Sequence, residues 1–556
     1  MVFSPEKPLI VQSDRTVLLE VDNPAHEAAR DALGLFAELV KSPEHIHTYR
    51  ISPLSLWNAA AIGLGVDKIL ETLGQYSRYE IPQNVATDIR DWTERYGRIV
   101  LRKLDGQLIL ESDDPLLVTE IVGSQVIERY LDRRLDQNRI RIRPYSRGHV
   151  KQALLKIGFP VKDLAGYVDG APLPINLRSV TASGQPFELR PYQREAVSAF
   201  HCGGSVEGGS GVVVLPCGAG KTVVAMGAMG NLQTATLILV TNTVALRQWI
   251  DELLDKTDIP ADQIAEYSGD SKKVAPITVA TYQILIYRRK KSDDFKHFGL
   301  FNEQDWGLIV YDEVHLLPAP VFRVTADIQA RRRLGLTATL VREDGREDDV
   351  FSLIGPKRFE SPWKLLEGQG WIATAECHEI RVPIDPALRI QYAVASRRNK
   401  YRIASENPRK FSIVERLVEK HSDDQVLVIG QYISQLEEVA QRLDSPLIQG
   451  KTPNEERQRL YGAFRRGEIS LLVVSKVANF AIDLPDANVA IQISGAFGSR
   501  QEEAQRLGRI LRPKKDGSPA HFYSVVTRET QDQDYCANRQ LFLTEQGYKY
   551  NIVEWN

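Results

Sequence analysis

Gly211-Val-Val-Val-Leu-Pro-Cys-Gly-Ala-Gly-Lys-Thr222 is the stretch on which the reading of this chain turns. Its β-branched run has the texture of a strand buried on both faces of a parallel sheet. The turn that follows lets the backbone bend at Gly218 and Gly220, so that N–H groups around Ala219 converge on phosphate oxygens. Lys221 then reaches the β and γ phosphates of a nucleotide, and Thr222 reaches a Mg²⁺ ion. The general pattern asks for glycine at position 215, where this sequence has leucine, so the loop is a shortened form of it. An ordinary strand-turn-helix could carry the same residues, so a second element has to decide.

That element is Gly307-Leu-Ile-Val-Tyr-Asp-Glu-Val-His315, an apolar strand running straight into two carboxylates. Phosphoryl transfer is catalysed mainly by positioning and charge neutralisation, so Asp312 is expected to orient Mg²⁺ and Glu313 to polarise the attacking water. Three further pieces fit a nucleotide enzyme. Arg190 and Gln193, in Leu189-Arg-Pro-Tyr-Gln-Arg194, precede the loop as an adenine-reading element would. Leu336-Thr-Ala-Thr339 places Thr337 and Thr339 at the end of the next strand, where they can sense nucleotide and bound strand together. Gln505, Gly508, Arg509 and Arg512 recur at helical steps, bringing Arg509 and Arg512 to one face, where they could neutralise a γ-phosphate from a second lobe.

A chain of 556 residues is too long for one core, and typical domain sizes suggest about three or four units. Its net charge of -2 excludes a whole-surface basic field, so any nucleic-acid site must be a local patch. Two patches stand out: Arg129 to Lys151 and Arg381 to Lys410. Cys202, Cys217, Cys377 and Cys536 are scattered, and no paired histidine spacing occurs. That pattern argues against a zinc site and a disulfide framework. Every long apolar run is broken by charge, which implies no membrane partner and a soluble, intracellular, cytoplasmic protein.

In chain order, residues 9 to 21 read as a hairpin and 25 to 39 as a helix. Three helices follow, one capped by Ser52 and ending at Ile62, then Val66 to Tyr76, then Pro82 to Tyr96. With a hairpin turning at Leu104-Asp-Gly106 they outline a winged helix over 50–112, whose third helix is too acidic to read a DNA groove and favours protein contact. Leu116 to Val122 reads as a strand, Gln125 to Leu135 as a basic helix, Arg139-Ile-Arg-Ile-Arg143 as a strand with one cationic face, and 172–186 as a linker. Strand candidates at 211–215, 236–240, 277–280, 307–311 and 333–336, and again at 425–429, 469–474, 489–493 and 521–525, alternate with helix-length segments. The fold class is therefore α/β, with two tandem parallel-sheet lobes preceded by small α+β domains. The expected divisions are 1–112, 113–180, lobe 1 at 185–360, a basic connecting insertion at 361–410, and lobe 2 at 411–556.

At these residues the chain resembles the XPB family of superfamily 2 DNA helicases. The marks are Leu189-Arg-Pro-Tyr-Gln193, Leu215-Pro-Cys-Gly-Ala-Gly-Lys221, Asp312-Glu-Val-His315, Leu334-Gly-Leu-Thr-Ala-Thr-Leu-Val-Arg-Glu-Asp344, Ser475-Lys-Val477 and Glu503-Ala-Gln-Arg-Leu-Gly-Arg-Ile-Leu-Arg512. The triplet Arg342, Glu343 and Asp344 is the most diagnostic. The resemblance implies RecA-like lobes, ATP and Mg²⁺ as cofactors, and a 3′ to 5′ ATP-dependent helicase acting on single-stranded DNA and duplex junctions during repair.

It further implies strand separation by Arg342, Glu343 and Asp344, DNA contact by Thr241, Thr281, Arg397, Arg398 and Lys400, and coupling through His315, Thr337, Thr339 and Asp483. Residues 113–180 would be a damage-recognition-like domain and 361–410 a thumb. A nuclease or other repair protein is the expected partner, with the chain itself a monomer, associated with the nucleoid if prokaryotic. Ala478-Asn479 departs from the Gly-Asp of the family after Ser475-Lys-Val477. A long acidic linker and a carboxy-terminal extension are also lacking, as in the compact prokaryotic form. A duplex translocase without strand separation and an RNA helicase would use the same fold, since fold does not fix the polymer.

Overall fold

The computed structural model describes residues 4–42, 45–144, 146–216, 218–288, 296–328, 331–339, 347–475, 487–495 and 519–555. The chain divides into two compact units. One is formed by 1–40, 44–215 and 220–360, the other by 361–556 with the short pieces 41–43 and 216–219.

In the first unit, β1 (Leu9–Val11), β2 (Thr16–Glu20), β3 (Glu38–Lys41) and β4 (Ile46–Arg50) form a sheet of order β1-β2-β4-β3. The expected hairpin at 9–21 is there, whereas the helix expected over 25–39 is confined to His26–Leu33 and the chain re-enters the sheet at Glu38. Helices Pro53–Ala61, Val66–Tyr76 and Gln83–Arg95 follow. The first is capped as the sequence predicts, the Ser52 hydroxyl accepting from the Ser55 amide at 3.1 Å.

The hairpin β5 (Ile99–Leu104) and β6 (Gln107–Glu111) is not a wing on those helices. It joins β7 (Leu131–Arg134), β8 (Arg139–Ile142) and β9 (Val161–Asp163) in a sheet of order β7-β8-β6-β5-β9. Two further expectations fail in the same region. Residues 115–123 are a helix rather than a strand, because Asp114 caps Leu116 and Leu117 ahead of Pro115 at the first turn, a start signal that outweighs an ambiguous apolar run. Residues 125–135 hold only a short turn at Glu128–Tyr130 before β7, whose pairing with β8 takes the backbone groups a helix would have used. The stretch 172–186 is no free linker either. Leu173 and Ile175 are buried, and the Ile175 amide donates to Gln233 Oε1 at 3.0 Å.

The first lobe is a seven-stranded, wholly parallel sheet. Its strands are β10 (Ser210–Val214), β11 (Thr236–Val240), β12 (Ile264–Tyr267), β13 (Ile277–Thr281), β14 (Leu308–Asp312), β15 (Arg332–Thr337) and β16 (Lys357–Glu360), in spatial order β12-β13-β11-β14-β15-β10-β16. All five residues of β10, β11 and β13 are buried, which is why the apolar runs were legible.

The second unit carries a matching parallel sheet. Its strands are β17 (Ala375–Val382), β18 (Val426–Gly430), β19 (Leu447–Ile448), β20 (Leu471–Ser475), β21 (Val489–Gln492), β22 (Ala520–Thr527) and β23 (Tyr550–Glu554), in order β19-β20-β18-β21-β22-β17-β23. These are the two parallel α/β lobes. β17 lies next to β22 inside this sheet, so the sheet begins within the basic stretch 361–410.

Candidate active site

The carboxyl ends of β10, β15 and β14 sit side by side, and this places the chemistry. Register pairs Val214 with Thr337 and Leu336 with Asp312, and the Leu215 amide donates to the Thr337 carbonyl at 3.0 Å. Beyond β10 the loop turns through Gly218 and Gly220, both at φ +79, and Gly220 in the left-handed region starts helix Lys221–Leu232. A Cβ at Gly220 would lie 2.5 Å from Gln193 Nε2, so only glycine lets the loop close on this side chain. Gln193 is itself fixed, its Oε1 accepting from the Arg190 amide at 2.9 Å. Arg190 Nη1 donates to the Tyr192 hydroxyl at 3.1 Å. Thr222, the second residue of the helix, stands at a positive dipole end where phosphate is favoured.

Lys221 Nζ lies 3.6 Å from Glu313 Oε1, both side chains mostly buried. Asp312 accepts from Trp249 Nε1 at 2.8 Å on one oxygen and from the Glu313 amide at 3.0 Å on the other. Burial, and then the adjacent Glu313 carboxylate, push the Asp312 carboxyl up to about 6, against the opposing pull of Trp249 and Lys221. Two neighbouring carboxylates with too little positive charge between them suit a divalent cation, and the donor set fits Mg²⁺. Glu313 takes the left-handed conformation at φ +48, a strained backbone of the sort that collects at working sites.

From Glu313 a polar chain runs inward. His315 Nδ1 lies 3.4 Å from Glu313 Oε2 and 2.7 Å from Thr337 Oγ1. The Thr337 hydroxyl donates to the Thr339 carbonyl, so its oxygen is left to accept, which puts a proton on His315 Nδ1. The Thr339 amide donates to the same hydroxyl at 3.1 Å. His315, Thr337 and Thr339 are all buried.

The remaining expected residues divide. Thr241 and Thr281 stand at the ends of adjacent strands, and Thr281 is buried with its hydroxyl accepting from the Ile284 amide at 3.3 Å. In the first basic patch Arg147 and Lys151 are buried against Asp163, and Arg139 and Arg141 are paired with Asp136 and Asp132. In the second, Lys410 is buried on Asp532 at 2.6 Å. Arg397 and Arg398 are exposed on helix Arg397–Ser405 with no ion-pair partner among the described residues, and Lys400 lies over the Tyr392 ring. Arg342, Glu343, Asp344, Asp483, Gln505, Arg509 and Arg512 lie outside the described residues. Trp249 and Tyr282, whose hydroxyl donates to the Asp312 carbonyl at 2.9 Å, were not anticipated. Nothing in a helix pattern separates a tryptophan that holds a carboxylate from one that fills a core.

Over 548 residues, 98% of this chain and 96% of the relative, the sequence is 56% identical to the DNA 3'-5' helicase XPB of Kineococcus radiotolerans. The chain belongs to the XPB family. The XPB of Mycobacterium tuberculosis, also named a DNA 3'-5' helicase, is 55% identical over 98% of this chain and 97% of its own length. A more distant XPB relative, the general transcription and DNA repair factor IIH helicase/translocase subunit XPB/SSL2 of Saccharomyces cerevisiae, is 31% identical over 98% of this chain and 72% of its own. Residues 366–556 match the family described as ERCC3/RAD25/XPB C-terminal helicase, and 186–342 match the type III restriction enzyme res subunit. Residues 9–136 match a family described as a helicase conserved C-terminal domain, here on the amino-terminal side of both lobes. With XPB kinship, the two parallel sheets are RecA-like helicase lobes. No helix among the described residues is long and apolar enough to cross a membrane.

Proposed function

We propose that this chain is an ATP-dependent DNA helicase of 3′ to 5′ polarity that opens duplex DNA during repair. The observation that carries the reading is the meeting of Lys221, Asp312 and Glu313 at the end of the phosphate-loop strand, in a chain more than half identical to named DNA 3'-5' helicases. ATP would lie on the amino end of helix Lys221–Leu232, with Gln193 and Arg190 toward the base. Thr222 and Asp312 would hold Mg²⁺, which when bound neutralises charge on the phosphates. Glu313 polarises the attacking water and takes up its proton. The chain through His315, Thr337 and Thr339 then carries the change at Glu313 to the segment holding Arg342, Glu343 and Asp344, the triplet we assign to strand separation.

Gln505, Arg509 and Arg512 complete the γ-phosphate site from lobe 2 in this reading, and Asp483 takes part in coupling. Residues 113–180 serve as a damage-recognition module, and the helical stretch around 386–405 as a thumb. The protein works inside the cell as a monomer, with a nuclease or another repair protein as partner. Strand displacement on duplexes with 3′ or 5′ overhangs tests the reading: ATP-dependent opening from the 3′ overhang is expected. ATP-dependent movement with no displacement on either substrate would favour the duplex translocase, a reading kept open by the helicase/translocase naming of the yeast relative.

The thumb makes a separate prediction. Replacing Arg397, Arg398 and Lys400 together by alanine weakens DNA binding and lowers the slope of log K against log salt by about 2 to 3, because each phosphate contact releases close to one counterion. A slope equal to that of the parent chain returns these residues to solvated surface.

A further inference from the structure

At the amino-terminal end of the strands of the second sheet, three groups with metal-binding chemistry converge. Glu376 and His378 are two residues apart on β17 and so project from one face. His521 sits on the neighbouring β22, directly opposite Glu376, and Tyr523 directly opposite His378. Glu376 Oε2 is 3.4 Å from His521 Nδ1 and 3.7 Å from His378 Nε2, and the three ligand atoms lie within 4.8 Å of one another.

Both ring nitrogens are shielded from solvent, and neither has a hydrogen-bond partner among the described residues. A shielded imidazole nitrogen that makes no hydrogen bond is costly, and a metal ion shared with the Glu376 carboxylate would satisfy both at once. We propose that Glu376, His378 and His521 form a zinc-class divalent metal site that ties β17 to β22.

The distances suit it. Tetrahedral bonds of about 2.0–2.1 Å place ligand atoms about 3.3–3.4 Å apart, so two of the three separations are already close and the third closes by rotation of the imidazole rings. Two imidazoles and one carboxylate select zinc over magnesium or calcium, which prefer all-oxygen sets. The half-exposed Glu376 leaves one side open for a water as fourth ligand.

The surroundings keep the imidazoles in the form a metal needs. Burial depresses the basicity of His378 and His521. His378 is lowered further by His521, Lys420 and His421, and His521 by His421 and Lys420, while Glu376 partly offsets this at both rings, joined at His521 by Asp424. The second layer is built as well. Tyr523 stacks on His378 at 4.7 Å between centroids, and its hydroxyl meets His421 Nε2 at 2.9 Å and Lys420 Nζ at 3.3 Å. His421 Nδ1 is held by Asp424 at 2.8 Å.

The test is zinc titration of the tag-free full-length chain after chelation, followed by calorimetry and by the visible absorption of Co²⁺ substituted for zinc. One equivalent bound is expected, with a tetrahedral Co²⁺ spectrum and a rise in melting temperature of about 5 °C at saturation. Glu376→Gln, at a half-exposed position that tolerates the change, and His521→Gln should each weaken zinc binding at least tenfold and abolish the thermal shift. Zinc bound equally well by both variants, or no zinc bound by the parent chain, overturns the site. Should His521→Gln fail to fold, Glu376→Gln alone decides.

Discussion

Lys221→Ala lowers DNA-stimulated ATP hydrolysis by at least about 10²- to 10³-fold, the scale on which loss of one preorganised charge at a developing oxyanion is felt. The lysine is not a replaceable surface cation. Its ammonium is mostly buried, stands 3.6 Å from Glu313, and is one of three influences, with the Trp249 indole and the Glu313 amide, that hold the Asp312 carboxyl down. Removing it therefore leaves two adjacent carboxylates with less positive charge than before, and the Asp312 carboxyl rises above its present value near 6. The residual activity should then need a higher pH to appear, a shift that simple loss of phosphate binding would not produce. Steady-state hydrolysis with and without DNA, between pH 5.5 and about 8.5, reads both effects. Full DNA-stimulated turnover in the variant would end the proposed mechanism.

The same carboxyl sets a pH dependence of the nucleotide-free fold. Its folded value near 6 lies above the unfolded value near 3.8, so the folded chain binds a proton more tightly there and loses stability as pH rises through that window. The loss is absent below about pH 4 and complete above about pH 6 or 7. A cation bound at Asp312 removes it. Site and stability thus work against each other, as is usual where a charge is held ready for a ligand.

The parts of this architecture visible in the sequence are those whose physics is local. A strand buried on both faces is an apolar run, so β10, β11, β13, β14 and β15 could be read directly. The glycine turn and the Asp312-Glu313 pair follow their strands without a gap. Edge strands such as β12, β16 and β23 are short and only partly buried, and carry no such run.

What depends on distant pairing stayed hidden. The hairpin β5-β6 looks like a wing until β8 and β9 are seen on its two sides. The metal cluster is a starker case, because spacing along the chain argued against zinc. Its ligands come from β17 and β22, and register alone brings Glu376 opposite His521. The basic patch at 129–151 was misleading for a related reason: a count of lysines and arginines cannot show that Arg147 and Lys151 face inward.

That inward-facing pair leads to the second large effect, a loss of about 3–5 kcal/mol on Asp163→Asn, seen as a fall of about 10 °C in the melting temperature of the first unit. Asp163, at the end of β9, accepts a bidentate pair of bonds from Arg147 at 2.8 and 3.0 Å and a third from Lys151 Nζ at 3.1 Å, with all three side chains below a tenth exposed. Arg333, fully buried at the start of β15, adds positive charge nearby. One carboxylate therefore serves three cations. Arg147, Lys151 and then Arg333 hold its pKa far below the usual carboxylate range despite burial, while burial together with Arg333 and Arg147 pushes Lys151 down to about 8.

The cluster also joins the basic α+β module to lobe 1. On the helix carrying Arg147 and Lys151, a Cβ at Gly148 would come 2.4 Å from the Ala326 carbonyl, and Gln152 donates to Asp349 at 2.7 Å. Neutralising Asp163 removes the carboxylate that these buried cations share, and the module's seat on the lobe is what yields. Lys151 offers a partial escape by shedding its proton. In the variant its folded pKa falls further below the unfolded 10.5, so the folded state binds fewer protons and stability climbs with pH across a wider range than in the parent. The deficit should accordingly shrink between pH 7 and about pH 9, and Lys151→Met added to Asp163→Asn should recover part of it at pH 7. A deficit unchanged across that range would show that lost packing, not stranded charge, accounts for the effect.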